Sequence, residues 1–164
     1  MSLCPQLRRL SADHARWLKE LARPASGDGG GVRLLALWDT EIQPHCRAEE
    51  EVLLPELARR LSEADAVIVF TSGDHLVLRH LVRDLRTATG PTAAVAATAL
   101  AGKLAEHFHF EERTLFPSLQ ETLGCNLLDE LQGELSKAGS SRTSRPADGP
   151  PIIHAASRTK GTKP

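Results

Sequence analysis

The chain contains one short motif twice: a histidine, a glutamate four residues later, and a proline six residues after the glutamate. The copies are His45, Glu49 and Pro55 in the first, and His107, Glu111 and Pro117 in the second. Because an α-helix turns by about 100° per residue, residues four apart point within about 40° of each other. Each copy therefore presents an imidazole nitrogen and a carboxylate oxygen to one point, which is half of a metal site.

Two further histidines each follow an aspartate early in a segment with helical periodicity, His14 after Asp13 and His75 after Asp74. Four predicted helices thus carry one histidine each, and two of them add a glutamate. Helical bundles build metal sites from such pairs on facing helices. We predict six metal ligands, a set that suits two iron ions: His14, His45, Glu49, His75, His107 and Glu111.

The rival interpretation is a purely structural bundle whose His/Glu pairs hydrogen-bond each other. It would bury two carboxylates without a cation, which costs several kcal/mol. The polar residues beside the motifs are expected to face solvent: Glu50, Glu51, Arg79, His80, His109, Glu112 and Arg113. For Glu50 and Glu112, support of a ligand is the alternative. Asp13 and Asp74 are expected to cap a helix or to orient a neighbour.

Apolar residues at steps of three and four predict an all-α fold with four long helices and a short fifth. The predicted helices cover residues 6–22, 32–61, 70–88, 92–123 and 126–137. A glycine-rich loop spans 23–31, Gly124 is expected to cap the fourth helix, and 64–70 is interpreted as an apolar connector or the lead into the third helix. Residues 1–137 form the predicted domain, and the Ser/Pro/Arg-rich tail 138–164 is predicted to be disordered.

Proline should distort both motif-bearing helices, since it lacks an N–H and its ring collides with the carbonyl four residues back. Pro44 predicts a bend near Thr40 or Glu41, just before the first motif. Pro55 and Pro117 predict a second distortion at matching places after each motif glutamate.

Composition excludes several classes of function. The 164 residues are 41% hydrophobic, enough to bury a core, and 20 basic against 21 acidic side chains give no reason to expect nucleic acid or a membrane as partner. Without an apolar run or a secretory signal, we expect a cytoplasmic protein. The cysteines, Cys4, Cys46 and Cys125, are odd in number and widely spaced, which predicts reduced thiols with Cys46 as a packing residue.

The ordered set of six residues resembles the hemerythrin-like, HHE cation-binding family, over roughly residues 6–136. The resemblance implies an antiparallel up-down four-helix bundle around a non-haem centre of two iron ions with an oxo or hydroxo bridge. Glu49 and Glu111 resemble its bridging carboxylates, and the four histidines resemble its terminal ligands. Zinc remains open, because the same ligands serve it.

One position departs from the oxygen-carrying members of that family, which have a second histidine four residues after the one on the third helix. Here that residue is Arg79, and His80 points about 100° further round. The departure favours an open iron position that binds or senses dioxygen, nitric oxide or peroxide over plain oxygen carriage. The alternatives are a redox enzyme that decomposes peroxide or reduces nitric oxide, and an iron-responsive binding module. The sequence does not identify a protein partner.

Overall fold

The computed structural model describes residues 2–23, 29–62 and 65–140, and every regular element in these ranges is helical. Helix α1 is Pro5–Leu21. Helix α2 (residues 30–58) consists of Gly30–Leu37, a π-helical turn Trp38–Ile42, Gln43–Ala48, a second π-helical turn Glu49–Leu53, and Leu54–Ala58. Helix α3 is Ala66–Thr87. No helix within the described ranges combines the length and apolarity needed to cross a bilayer.

Helix α4 (residues 91–123) consists of Pro91–Phe110, the π-helical turn Glu111–Leu115 and the first part of Phe116–Glu130. It ends where predicted, at Gly124, whose φ of 71° and ψ of 165° interrupt Phe116–Glu130. A left-handed φ of this kind costs glycine little, because it has no Cβ. Helix α5 (residues 125–140) continues from there through Gln132–Ser140. Residues 138–140, which were predicted to belong to the tail, are therefore helical. The rest of the predicted tail lies outside the described residues, as does most of the predicted 23–31 loop.

Neighbouring helices run antiparallel, as side-chain contacts between them indicate. Along α2 and α3, Asp39 pairs with Arg86 and Glu50 with His75, so numbers rise on one helix as they fall on the other. The same holds between α3 and α4, where Phe70 contacts Phe110 and Asp74 contacts Lys103. The predicted all-α, up-down arrangement is confirmed.

Helix α3 begins four residues earlier than the predicted residue 70, so the connector is the start of the helix. The Asp65 carboxylate caps it by accepting a hydrogen bond from the backbone N–H of Val67 at 2.9 Å. The Thr-Ser-Gly-Asp cluster at 71–74 does not interrupt the helix; within it, the Thr71 hydroxyl donates to the carbonyl of Val67 at 2.8 Å and so finds its partner inside the helix.

The expectation of three reduced cysteines is wrong, since Cys4 and Cys125 form a disulfide across 121 residues of sequence. Cys4 immediately precedes α1, and Cys125 immediately follows the break at Gly124. The antiparallel packing of α1 on α4 joins these ends, as the hydrogen bond from the Cys4 N–H to Gln120 Oε1 at 2.7 Å illustrates. Close spacing was therefore the wrong criterion, because tertiary packing makes this pair. Cys46 is free and buried.

Two large clusters of buried apolar side chains form most of the core of the described residues, beside a small third one. One large cluster includes Phe108 of α4, and the other includes Phe116, two turns further along the same helix. The imidazole of His14 stacks against both rings, with centroid distances of 4.6 Å to Phe108 and 5.2 Å to Phe116. The polar residues predicted as ligands therefore lie between two apolar layers.

Candidate metal centre

The structure brings all six predicted ligand residues together in the interior of the bundle. Helix α1 supplies one, α2 two, α3 one and α4 two. Their exposed fractions are 1% for His14, 7% for His45, and 0% for Glu49, His75, His107 and Glu111. Groups this polar are rarely buried together unless each is paired or binds an ion.

The carboxylate of Glu49 faces two histidines with different oxygens. Its Oε1 lies 3.3 Å from Nε2 of His45, and its Oε2 lies 3.3 Å from Nε2 of His75. Because His45 is on the same helix and His75 is on α3, this single side chain spans the gap between two imidazoles.

The carboxylate of Glu111, on α4, does the same. Its Oε2 lies 3.2 Å from Nε2 of His14 and 3.7 Å from Nε2 of His45. Its Oε1 lies 3.0 Å from Nε2 of His107 and 3.8 Å from Nε2 of His75. The four histidines thus form two pairs, His14 with His45 and His75 with His107, and each carboxylate has one oxygen beside each pair.

The separations between these donor atoms suit ligands that share a cation. Two ligands about 2.1 Å from one metal ion lie about 3.0 to 3.4 Å apart at octahedral or tetrahedral angles. Nε2 of His14 and Nε2 of His45 are 3.0 Å apart. Both oxygens of Glu49 and of Glu111, and Nε2 of His75 and of His107, are buried without a hydrogen-bond partner. The donor set therefore fits a metal.

The two glutamates that follow the motif glutamates orient histidines, so their assignment mainly to a solvated face is wrong. His75 donates through Nδ1 to Glu50 Oε1 at 2.8 Å, and His14 donates through Nδ1 to Glu112 Oε1 at 2.8 Å. Ser11 also donates to Glu112 at 2.9 Å. A proton on Nδ1 leaves the lone pair on Nε2, the atom that faces the centre, and this arrangement is common for metal-bound histidines.

Arg79, expected as a surface charge, instead lies against the centre's outer edge. Its Nη2 donates to both oxygens of Glu50, at 2.7 and 2.6 Å. The guanidinium therefore neutralises the carboxylate that orients His75, and it supplies no ligand itself. Burial raises the pKa of Glu50, but hydrogen bonds from His75 and Arg79 outweigh burial and hold that pKa below its ordinary value.

Asp74, on α3, faces the ring of His107 on α4. Its Oδ2 lies 3.6 Å from His107 Nδ1, and its Oδ1 accepts from Lys103 Nζ at 2.7 Å. Asp74 lies inside α3 and therefore does not cap it; its Oδ2 is too far from His107 Nδ1 for a hydrogen bond, and both atoms lack a hydrogen-bond partner. Asp13 instead pairs with Arg16 at 2.9 Å near the surface.

The carboxylates make the centre attract positive charge. Burial lowers the pKa of His14, but the carboxylates of Glu111 and Glu112 outweigh burial and raise it to about 9. Burial also opposes charge on His107, yet Glu111 and Asp74 raise its pKa to about 11. In turn, burial raises the pKa of Glu111, while His107, His14 and His45 hold it well below its usual value. A metal ion would take the place of the protons that these carboxylates attract.

Each motif glutamate begins a π-helical turn, at Glu49–Leu53 and at Glu111–Leu115. The N–H of Leu54 bonds to the carbonyl of Glu49, and the N–H of Phe116 bonds to that of Glu111, each one residue wider than in an α-helix. Proline follows directly, and the wide turn accommodates its ring and its missing N–H. The distortion predicted before Pro44 is confirmed as a third such turn, Trp38–Ile42.

A family model for the hemerythrin HHE cation-binding domain matches residues 5–119. The chain belongs to this family. Searches of curated proteins and of solved structures each returned no significant match. The HHE match spans α1 to α4, the helices that carry the six converging residues, and with the buried His/Glu clusters it identifies a metal-binding domain.

One residue that the sequence analysis assigned to packing lies at the HHE centre. The donor atoms of Cys46, Glu49, His75 and His107 lie within 4.8 Å of one another, as do those of His14, His45 and Glu111. Cys46 directly follows His45 on α2 and therefore points about 100° away from it. That angle excludes only the His14–His45 pair, and the thiol faces the other pair.

The remaining polar residues lie outside the HHE centre, as expected. His80 is on the exposed side of α3 and contacts Arg83. His109 and Glu51 are also exposed. Trp17 packs its ring edge-on against His45, with centroids 5.0 Å apart, so aromatic rings line the His14–His45 side.

Proposed function

We propose that this HHE domain holds two iron ions and binds or senses a small ligand, dioxygen, nitric oxide or peroxide, at an open iron position. His14 and His45 would hold one ion, and His75 and His107 the other. The observation that supports two ions is the placement of the carboxylates: Glu49 and Glu111 each have one oxygen beside each imidazole pair.

The mixed nitrogen and oxygen donor set favours iron or zinc over calcium and magnesium, which prefer oxygen alone. When bound, iron would supply redox chemistry and positions for small ligands. The chain's own contribution is to fix the donors on rigid helices. Glu50 and Glu112 set the histidine tautomers, and the rings of Trp17, Phe108 and Phe116 exclude water on one side.

The proposed open position follows from the count of donors. Arg79 stands where a further histidine would be, and its guanidinium is engaged by Glu50. The His14–His45 pair has two imidazoles and one oxygen from each bridging carboxylate nearby. Iron sites with few protein donors keep positions for small ligands.

The test begins with metal analysis of protein purified with and without oxygen, followed by absorption spectra before and after addition of dioxygen, nitric oxide or peroxide. We expect about two iron ions per chain and a stoichiometric spectral change. Glu51→Ala, at an exposed residue beside Glu49, is the matched control and should behave as the parent chain. A chain that retains no iron under either condition would overturn the proposal.

The same samples separate the alternative functions. Continuous consumption of peroxide or nitric oxide, with many turnovers per chain, would replace sensing by an enzymatic activity. Iron-dependent helicity and protease resistance without any response to small ligands would favour an iron-responsive binding module.

For location, we propose the cytoplasm, with a small molecule rather than nucleic acid or a membrane as partner. The near balance of 20 basic and 21 acidic side chains supports the second part. The Cys4–Cys125 disulfide weighs against the first, because such bonds are rare in reducing compartments. Fractionation of cells, with thiol counting on the recovered protein, tests it: recovery in an oxidising compartment would refute the cytoplasmic assignment.

A further inference from the structure

Cys46 is a buried free thiol, 1% exposed, at the end of the centre formed by His75 and His107. Its sulfur belongs to a group of four donors within 4.8 Å of one another, with Glu49, His75 and His107. A buried cysteine by itself is most simply a small apolar residue. The three polar residues around it make this one different.

Those neighbours have unpartnered donor atoms that face the same space. Nε2 of His75, Nε2 of His107 and both oxygens of Glu49 are buried without a hydrogen-bond partner. The other nitrogen of His75 already donates to Glu50. The donor atoms of all three side chains are thus unpartnered. A single cation could bind all of them, because imidazole lone pairs and carboxylates are both metal ligands.

The helical positions of His45, Cys46 and Glu49 explain why the Cys46 thiol faces the half of the centre formed by His75 and His107. Seen from Glu49, His45 lies four residues back and Cys46 three residues back, so they flank the glutamate about 40° to one side and about 60° to the other. Glu49 has one oxygen beside His45 and the other beside His75. Cys46 and His45 therefore lie on opposite sides of the Glu49 carboxylate, and Cys46 is on the side that faces His75.

We propose that Cys46 is a seventh protein ligand, which binds through its sulfur to the metal ion held by His75 and His107. This assignment rests on the proposed metal pair and makes its two halves unequal. The ligand form is the thiolate, so metal binding releases the thiol proton to solvent. Because Cys46 adds a donor to one half, the small ligand is directed to the His14–His45 half.

The first test uses Co²⁺ as the probe, because a thiolate bound to cobalt gives an intense near-ultraviolet charge-transfer band that nitrogen and oxygen ligands do not. We expect the band in the full chain and its loss in Cys46→Ser, with bound cobalt measured separately. The double variant Cys4→Ser/Cys125→Ser removes two sulfurs remote from the centre and should keep the band. A band that persists in Cys46→Ser would overturn the assignment.

The second test uses the unaltered chain loaded with Zn²⁺, so it does not depend on the folding of a variant. X-ray absorption should resolve a sulfur neighbour at about 2.3 Å beside nitrogen and oxygen neighbours at about 2.0 to 2.1 Å. Bound zinc with only nitrogen and oxygen neighbours would refute the Cys46 ligand and leave the metal site standing. A chain that binds neither iron, cobalt nor zinc would overturn both proposals.

Discussion

The two motif copies agree in their carboxylates and differ in the residue after the histidine. Glu49 and Glu111 each face two histidines, and the glutamate that follows each one accepts a 2.8 Å hydrogen bond from a histidine on another helix. The residue after the motif histidine is Cys46 in the first copy and Phe108 in the second. The ring of Phe108 stacks on His14, whereas the sulfur of Cys46 lies in the donor group of His75 and His107.

The repeated residues build the centre, and the residues that differ between the copies make its two halves different. The repeated carboxylates bring four imidazoles within reach of two points. The residue after the motif histidine differs between the copies. Phe108 places an aromatic ring, here called the aromatic wall, on the His14–His45 half, and Cys46 places a sulfur on the His75–His107 half. A symmetric frame thus holds two chemically different halves, which is a reason for a small ligand to prefer one of them.

The largest expected effect comes from removing a shared carboxylate. Glu49→Ala or Glu111→Ala should lose most bound iron from both halves at once, because each carboxylate has an oxygen beside each imidazole pair. Metal analysis of purified variants measures this, with Glu51→Ala as the control. If either variant retained one full equivalent of iron, the halves would be independent and the bridging role would be wrong.

The ring of Phe108 beside His14 predicts a large loss of overall stability when it is removed. Phe108→Ala removes a fully buried ring and should lower the free energy of unfolding by about 3 to 5 kcal/mol. Urea unfolding of the metal-free protein measures it. Phe110→Ala, which removes a partly exposed ring that contacts Phe70, should cost clearly less. Equal losses would mean that the wall next to His14 contributes nothing special.

The orienting carboxylates allow the two halves to be compared directly. Glu50→Ala and Glu112→Ala should each weaken metal binding about 10- to 100-fold, because each frees a histidine whose Nδ1 proton is now held at 2.8 Å. Competition with a coloured chelator gives both affinities. Glu50→Ala also leaves Arg79 without its carboxylate beside the centre, so we expect it to be the more damaging. The reverse order would show that Arg79 does not influence the metal.

The sequence was sufficient for the features that depend on one helix at a time. The apolar stripes predicted the long helices, the four-residue spacing predicted which side chains of α2 and α4 converge, and proline predicted where those helices are distorted. The start of α3 was the main local error: Asp65 was the true cap, while the Thr71 hydroxyl bonds back into the helix and leaves it intact.

The six ligand candidates on four helices were predicted together, but three other contacts between helices were missed. Glu50 and Glu112 were assigned mainly to solvent, because the sequence does not show the histidine that each one meets on a neighbouring helix. The disulfide needs the packing of α1 against the end of α4. Cys46 was assigned to packing, because its place beside His75 and His107 depends on how α2 packs against α3 and α4. The repeated Glu-Glu doublet was the one sequence signal that could have revealed the orienting pair.

The smallest expected effect tests helical phase itself. His80→Ala should leave the metal content and the free energy of unfolding unchanged within about 0.5 kcal/mol, because the side chain is 61% exposed and its nearest polar contacts are Arg83 and Asp84 on the same helix. Metal analysis and urea unfolding measure both quantities, with His75→Ala as the contrast. The two histidines are five residues apart on one helix, yet only His75→Ala should remove a metal ligand. Loss of iron in His80→Ala would mean that α3 rotates when metal binds, and that the residue after Arg79 supplies the missing nitrogen.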